Sequence, residues 1–343
     1  MAYGDYRVGF IIYIVQGLIS LVANSTVFLS IARYAKLRQR KEYIIVGALA
    51  LGDAANGFGY LSCGVQRSYW VYTATDNFTV TPWDCYLTGY SLAWKSVGPT
   101  AHMMLLVVSI DRLIAVSAPM VYYKLTRVYA LRVVGVVYIL AAIFFIVTAY
   151  ISFGLRDQYV VPSICWSQDA MYGVEWYLGF WFAAKTTCLI GSIVIYVFVV
   201  IIQVYRTKKK LGAVDSSGGK TETPKQKKTR ENELARQRRL VTTLGLSSMF
   251  TFLFGVVPNF LQSIGSYLLS EDAYAYVSVV LANVSNLNPI MNFFLYTARH
   301  RDMRAAVVSL LLCKRKLMDM KPAAGATSTV LPTNTQHAPA QKE

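Results

Sequence analysis

The sequence predicts an all-α membrane protein: a seven-transmembrane helix bundle, N-terminus outside, with a short amphipathic surface helix after the seventh span. Three observations carry this. The 343-residue chain is 55% hydrophobic. Only 15% of it is charged, against about 25% in soluble domains. Its apolar residues fall in seven runs, each near the ~20 residues that cross a bilayer.

The first span runs roughly from Val8 to Ala32 and carries the polar cluster Asn24-Ser25-Thr26. About seven residues precede it, so it is expected to act as its own insertion signal. Span two runs from Tyr43 to Gln66 and contains Asp53; span three runs from Cys85 to Val116, with a kink expected at Pro99. Span four, Ala130 to Phe153, holds no charge. Span five runs from Glu175 to Tyr205. The segment 206–239 is rich in Lys, Arg, Ser and Gly and reads as a cytoplasmic loop with disordered parts. Span six ends near Leu269 with Pro258 inside it, and span seven runs from Ala273 to Thr297. Residues 298–313 place basic groups on one side and Met303, Val307 and Leu311 on the other, which suits a helix on the membrane surface. Residues 314–343 read as a disordered cytoplasmic tail. The membrane domain is thus 8–297, with 1–7 as a short extracellular N-terminus.

Lys and Arg set the orientation. Arg33, Lys36, Arg38, Arg40 and Lys41 crowd the first loop, and the loop between spans five and six is more basic still. The alternate loops carry mainly Arg67 and Arg156 among several acids. By the positive-inside rule the N-terminus is outside and the C-terminus inside. The net charge of +16 would point to nucleic acid in a soluble chain; here the basic residues lie between apolar spans, and nucleic acid is set aside as a partner. Five cysteines form no CxxC or Cys/His cluster, so nothing supports a zinc or redox framework. No duplicated half points to a transporter.

Within this frame a few residues are chemically expensive. Asp111 and Arg112 are adjacent charges at the end of a membrane helix, where a charge needs a partner or a function. Asp53 is a carboxylate deep in an apolar span, to be neutralised or to bind something. Pro258 removes a helix hydrogen bond and makes a hinge. Lys95 and Lys185 lie in spans three and five. They could read an anionic or carbonyl-bearing ligand, or snorkel to the interface or pair with Glu175. Trp176, Tyr177, Phe180 and Trp181 could form an interfacial belt or line a cavity.

These residues carry a resemblance. Asn24 in span one, LALGD ending at Asp53, DRL at Asp111–Leu113, Pro119, Pro258, and NPIMN at Asn288–Asn292 occur in the order and spans of a rhodopsin-like G-protein-coupled receptor. The likeness covers about residues 8–313. SIDRLIAVSAPMVYY and NPIMNFFLYTARHRDMR also resemble nematode serpentine chemoreceptors of the Srsx family.

The resemblance implies roles. Asp111 and Arg112 form the switch that meets a heterotrimeric G protein. Phe252, Pro258, Asn288, Pro289 and Tyr296 belong to the moving helices. Asn24, Asp53 and Asn288 form an inter-helix polar network that in many members holds sodium, although Ala101 stands where a hydroxyl often helps; otherwise no cofactor is implied. Cys85 and Cys165, both on the oxidising outer side, are expected to be disulfide-bonded. Cys85 lies about two residues farther from DRL than the family spacing, so Pro99 or a bulge is expected to adjust the register. Departures are several: Val256 replaces a tryptophan, Asn292 a tyrosine, and Tyr138 lies near the place of the span-four tryptophan. Arg238 is basic where an acidic partner for Arg112 would sit. These favour a divergent branch. Trp94, Lys95 and Lys185 are the ligand-pocket candidates; Trp94 stands where amine receptors keep an aspartate, which disfavours an amine. No lysine lies in span seven, which disfavours retinal. Asn77 heads an outer-loop glycosylation sequon, and Cys313 is a candidate for palmitoylation.

The expected function is reception of an extracellular small-molecule cue, with no enzyme chemistry. The site is the plasma membrane, sensory-neuron cilia included. A neuropeptide receptor of the same fold is the alternative. A seven-span transporter or channel is the rival from another class.

Overall fold

A computed structural model describes residues 7–73, 78–166, 168–215 and 249–312. Asn77, Cys313, Arg238, the N-terminal six residues, most of the basic loop and the tail lie outside these described residues.

Five described helices are long and apolar enough to cross a membrane: α1 (Arg7–Arg33), α3 (Lys41–Tyr72), α5 (Gly89–Ser117), α7 (Arg127–Gly154) and α8 (Glu175–Asp215, apolar to Arg206). Short helices α2 (Ala35–Arg38), α4 (Pro82–Leu87) and α6 (Pro119–Lys124) fall between them. The sixth apolar segment is described from Met249, passes through a wide π-helical turn, Phe252–Val256, and continues as α9 (Val257–Leu268). The seventh is two helices, α10 (Glu271–Ser285) and α11 (Leu287–Arg299), and α12 (Arg301–Leu311) follows.

Burial runs opposite to that of a water-soluble protein. α7 and α8 are the most apolar long helices, yet only 17% and 22% of their apolar stretches are buried. α3, the least apolar of the five, is 67% buried. In water the most apolar helix would be the most hidden. The reverse pattern fits a bundle whose outer surface meets hydrocarbon and whose interior holds the polar groups.

α3 is the axis. It packs on α1 along one side and on α5 along the other, and α5 in turn carries α7 and α8. Small residues let α1 and α3 approach closely: a Cβ on Gly57 would come within 2.6 Å of the Leu21 backbone nitrogen.

Four places depart from the sequence reading. α8 runs on to Asp215, ten residues past the expected end of span five, so the start of the expected loop 206–239 is helical. Span three does not begin at Cys85 as one helix. Cys85 sits in α4, which a Thr81–Asp84 capping box and Pro82 start. Thr88, in an extended conformation, then separates α4 from α5. The break falls at Thr88 and not at Pro99, through which α5 passes as continuous helix. Span two runs on to Tyr72, six residues past its expected end, because Ser68–Tyr72 stays apolar enough to continue. Span seven breaks at Asn286. Pro289 lacks the N–H that would reach the Ser285 carbonyl, so an unbroken helix loses a bond there.

Candidate functional site

The end of the bundle that holds the disulfide is tied by backbone. Cys85 of α4 is bonded to Cys165. The strands β1 (Thr79–Val80) and β2 (Val161–Pro162) pair antiparallel beside it, with Thr79 opposite Pro162. Arg67 of α3 reaches under the turn. Its Nε donates to the Ile164 carbonyl at 3.0 Å and its Nη2 to the Cys165 carbonyl at 2.6 Å. The Tyr90 hydroxyl donates to the same two carbonyls. The guanidinium is 2% exposed and lies over Phe10, Tyr90 and Trp166, where cation–π attraction helps offset its desolvation. Asp169 accepts the Trp166 N–H at 2.7 Å, and burial pushes its carboxyl up to about 6 against that bond and the nearby Arg67 and Lys95.

The three pocket candidates do not converge. Trp94 turns toward α3 and packs edge-on against Tyr60 and Tyr90. Its indole N–H is buried with no hydrogen-bond partner among the described residues. Lys95 is 1% exposed and lies over the Trp181 ring at 5.2 Å, so it does not snorkel. Lys185 is partly buried and borders a narrow crevice between α5, α7 and α8 that opens to the surface. His102, Met103, Phe144, Trp181 and Cys188 also line it. Among the described residues Lys185 has no ion pair, with Glu175 or any other acid. Trp176 and Phe180 are exposed, as a belt would be, whereas Tyr177 is buried with its hydroxyl against Thr148.

Deeper in the bundle, Asn24 and Asp53 share one polar layer. The Asn24 amide donates to the Ser20 carbonyl and to the Pro289 carbonyl at 3.3 Å. The Ser20 hydroxyl donates to the Asp53 backbone carbonyl at 3.3 Å. The Asp53 carboxylate, 2% exposed, accepts from Asn292 at 3.2 Å. The partner on its carboxylate is thus Asn292 and not Asn288, because the helix restarts at Leu287 and points the second asparagine of NPIMN at α3. Asn288 is buried, and its Oδ1 has no partner among the described residues. Tyr138 donates to the Ala48 carbonyl at 3.0 Å, tying α7 to α3.

The hinge segment is shaped by the π turn. The Val257 N–H reaches back five residues to the Phe252 carbonyl, one residue before Pro258. Phe252 is 46% exposed and so does not enter the core. The wide turn holds an extra residue, which rotates the preceding side chains by about 100° relative to a plain helix. Tyr296 packs partly buried between the central core and the α12 end.

At the opposite end, Asp111 is 1% exposed and Arg112 stands 4.0 Å from it. The Tyr122 hydroxyl donates to the same carboxylate oxygen at 3.2 Å. Lys41 caps this group: it donates to the carbonyls of Tyr122 and Leu125 and lies over the Tyr122 ring at 3.6 Å. Arg206 of α8 donates to the Ser117 carbonyl at 3.0 Å. Asp302 of α12 pairs with Lys36 and Arg40 at 3.3 and 3.2 Å, all half-exposed.

The sequence placed Arg67 only among loop charges, gave Asn292 only as a departure from the family motif, and offered nothing on His102. Arg67 had a signal: the apolar run resumes after it, through Tyr69, Trp70 and Tyr72, so it lies inside a helix and not in a loop. His102 had none, since its Nδ1–H simply bonds the Gly98 carbonyl at 2.7 Å one turn back.

No curated protein matches the chain. The family model for the 7 transmembrane receptor (rhodopsin family) matches residues 23–296, from the Asn24 turn to Tyr296. Apolar helices, an inside-out burial pattern, a buried Asp–Arg pair and this match over most of the chain lead to one assignment: the chain belongs to the rhodopsin family of seven-transmembrane receptors, multi-pass membrane proteins of G-protein-coupled signalling.

Proposed function

We propose that this receptor binds an extracellular small-molecule cue and activates a heterotrimeric G protein by an outward swing of the segment that contains the π turn and Pro258. The observation that carries this is the Asp111–Arg112 pair. Arg112 stands 4.0 Å from Asp111, beyond a tight charge-assisted bond. A second donor, Tyr122, already serves the carboxylate. Such an arginine is held at rest but is cheap to release, as a switch requires. Ligand binding would act by population shift, through tighter binding to the open state.

In this reading the chain spans the plasma membrane seven times, with its disulfide end outside and α12 on the inner membrane surface. Sensory-neuron cilia are one such membrane. Motif likeness supports a chemoreceptor of the nematode Srsx kind. Asn77 is glycosylated, and Cys313 is open to palmitoylation. A sodium ion fits the oxygen chemistry of the polar layer. The Asp53 carboxylate would hold it with the unpartnered amide oxygens of Asn24 and Asn288, while Ala101 adds no ligand.

The test is ligand-evoked G-protein dissociation in cells expressing the receptor, with small-metabolite and odorant pools beside neuropeptide pools. A small-molecule response that Arg112→Ala abolishes, at unchanged surface delivery, is expected. A response to peptides alone would replace the ligand reading. An ion flux that survives Arg112→Ala would favour a channel or transporter instead.

A further inference from the structure

Taken alone, α6 (Pro119–Lys124) has little to hold it. Its six residues are too few for a stable helix in isolation. None of them is buried, and Ala118 at its start supplies no side-chain cap. Met120, Val121 and Tyr123 are exposed, Tyr123 by 89%. Yet α6 carries the Tyr122 hydroxyl that serves the Asp111 carboxylate. A group outside α6 must therefore fix that hydroxyl in place.

Lys41 is placed to do so. Its ammonium donates to the Tyr122 carbonyl and, at 2.9 Å, to the carbonyl of Leu125, the residue that closes α6. The same ammonium lies over the Tyr122 ring, so it holds both the backbone and the side chain of one residue. Lys41 opens α3, where the helix dipole disfavours a cation and favours an acid such as the adjacent Glu42. Among the described residues Lys41 makes no ion pair. Its charge thus serves α6 and not its own helix. The anchor is firm, because nearby Tyr43 is 5% exposed and packs edge-on against His300.

The hydroxyl that Lys41 holds has consequences for Asp111. Tyr122 bonds Oδ2, the oxygen that faces Arg112. The other oxygen, Oδ1, is buried with no hydrogen-bond partner among the described residues. Tyr122 therefore sets the rotation of the carboxylate, and with it the resting place of Arg112.

We propose that Lys41 is the positioning residue of the resting switch. By clasping α6 to the start of α3 it keeps the Tyr122 hydroxyl on Asp111, and so keeps Arg112 at rest. This deepens the switch reading of Asp111 and Arg112, on which it rests. When the clasp opens, Tyr122 leaves the carboxylate and Arg112 is freed.

Hydrogen exchange of the full-length receptor in lipid nanodiscs, beside basal G-protein dissociation in cells, tests this. Lys41→Met keeps an unbranched stem and removes the donors. Residues 119–125 should exchange at least about tenfold faster in it, as loss of charge-assisted bonds to those carbonyls would give. Exchange in α5 and the rest of α3 should stay unchanged, which shows the bundle intact. Basal activation should rise about as much as in Tyr122→Phe. The two substitutions together should add nothing further, because both act through one bond. Lys41→Arg should resemble the wild type, since a guanidinium can also serve two carbonyls and stack on the ring. Unchanged exchange at 119–125 in Lys41→Met would overturn the proposal. So would wild-type basal activity in Lys41→Met where Tyr122→Phe raises it, or additive effects in the double variant. Faster exchange in Lys41→Met, with basal activation unmoved in that variant and in Tyr122→Phe alike, would leave the clasp standing and sink the switch reading.

Discussion

The two ends of the bundle are built from different kinds of bond. At the disulfide end a covalent link, a short two-stranded ladder and a buried guanidinium all act on backbone. At the Asp–Arg end, bonds from Lys41 and Arg206 to backbone carbonyls stand beside ties between charged side chains: Asp111 with Arg112 and Tyr122, and half-exposed Asp302 with Lys36 and Arg40. Buried bonds to backbone are expensive to break, since each leaves an unsatisfied carbonyl. Half-exposed ion pairs are not, because water replaces the partner. Under the proposed receptor reading, the contrast would let the bundle hold its shape at the disulfide end and rearrange at the Asp–Arg end.

Substitutions can break this contrast, beginning with the largest effect. Cys85→Ser removes a cross-link between residues 80 apart in sequence. It should cost about 2–4 kcal/mol, seen as a lower melting temperature and reduced surface delivery. A normal melt and normal trafficking would mean that Arg67 and the strand ladder hold this end alone. Arg67→Ala leaves the Ile164 and Cys165 carbonyls to Tyr90 and empties the space between three aromatic rings. A loss of roughly 2–3 kcal/mol follows from charge-assisted bonds of this kind. Arg67→Lys should rescue little, since an ammonium lacks the planar fork that serves two carbonyls at once. A double-mutant cycle with Cys85→Ser should show coupling, because both act on the same turn.

Effects at the other end should be smaller in stability and larger in signalling. Tyr122→Phe removes one hydrogen bond from Asp111 and should cost about 1 kcal/mol. It should also raise basal G-protein activation, and an unchanged basal signal would argue that the pair is purely structural. Asp302→Ala breaks two half-exposed pairs. Its cost should stay below about 1 kcal/mol and vanish at high salt; a larger, salt-independent loss would place this helix among the rigid parts.

Much of the bundle was legible because membrane helices are written one at a time. A run of apolar residues with few charges states its own length: α1, α5 and α7 lie within a few residues of their expected bounds, and α8 starts at the expected Glu175 but runs ten residues past Tyr205 to Asp215. The cysteines could be matched since both fall on one side of the predicted topology. Asp53 and the Asp111–Arg112 pair stood out because charge in hydrocarbon is rare. The breaks at Thr88 and Asn286 were harder. Thr88 breaks the helix through its own extended backbone after a capping box has started α4 at Thr81, and Asn286 precedes a proline without an N–H, so neither break is written as the end of an apolar run.

Partner identity was the part least open to sequence reading. Which asparagine of NPIMN meets Asp53 depends on the rotation of α11 after its restart, and the answer is Asn292. Trp94 and Lys95 are neighbours in sequence, yet one faces α3 and the other Trp181, since consecutive helix residues point about 100° apart. Sequence alone determined that this chain is helical, lipid-embedded and built around a few buried charges, because those properties belong to single segments. Only the tertiary structure decided which buried group each charge faces. That depends on how helices rotate and pack against one another, and no single segment encodes it.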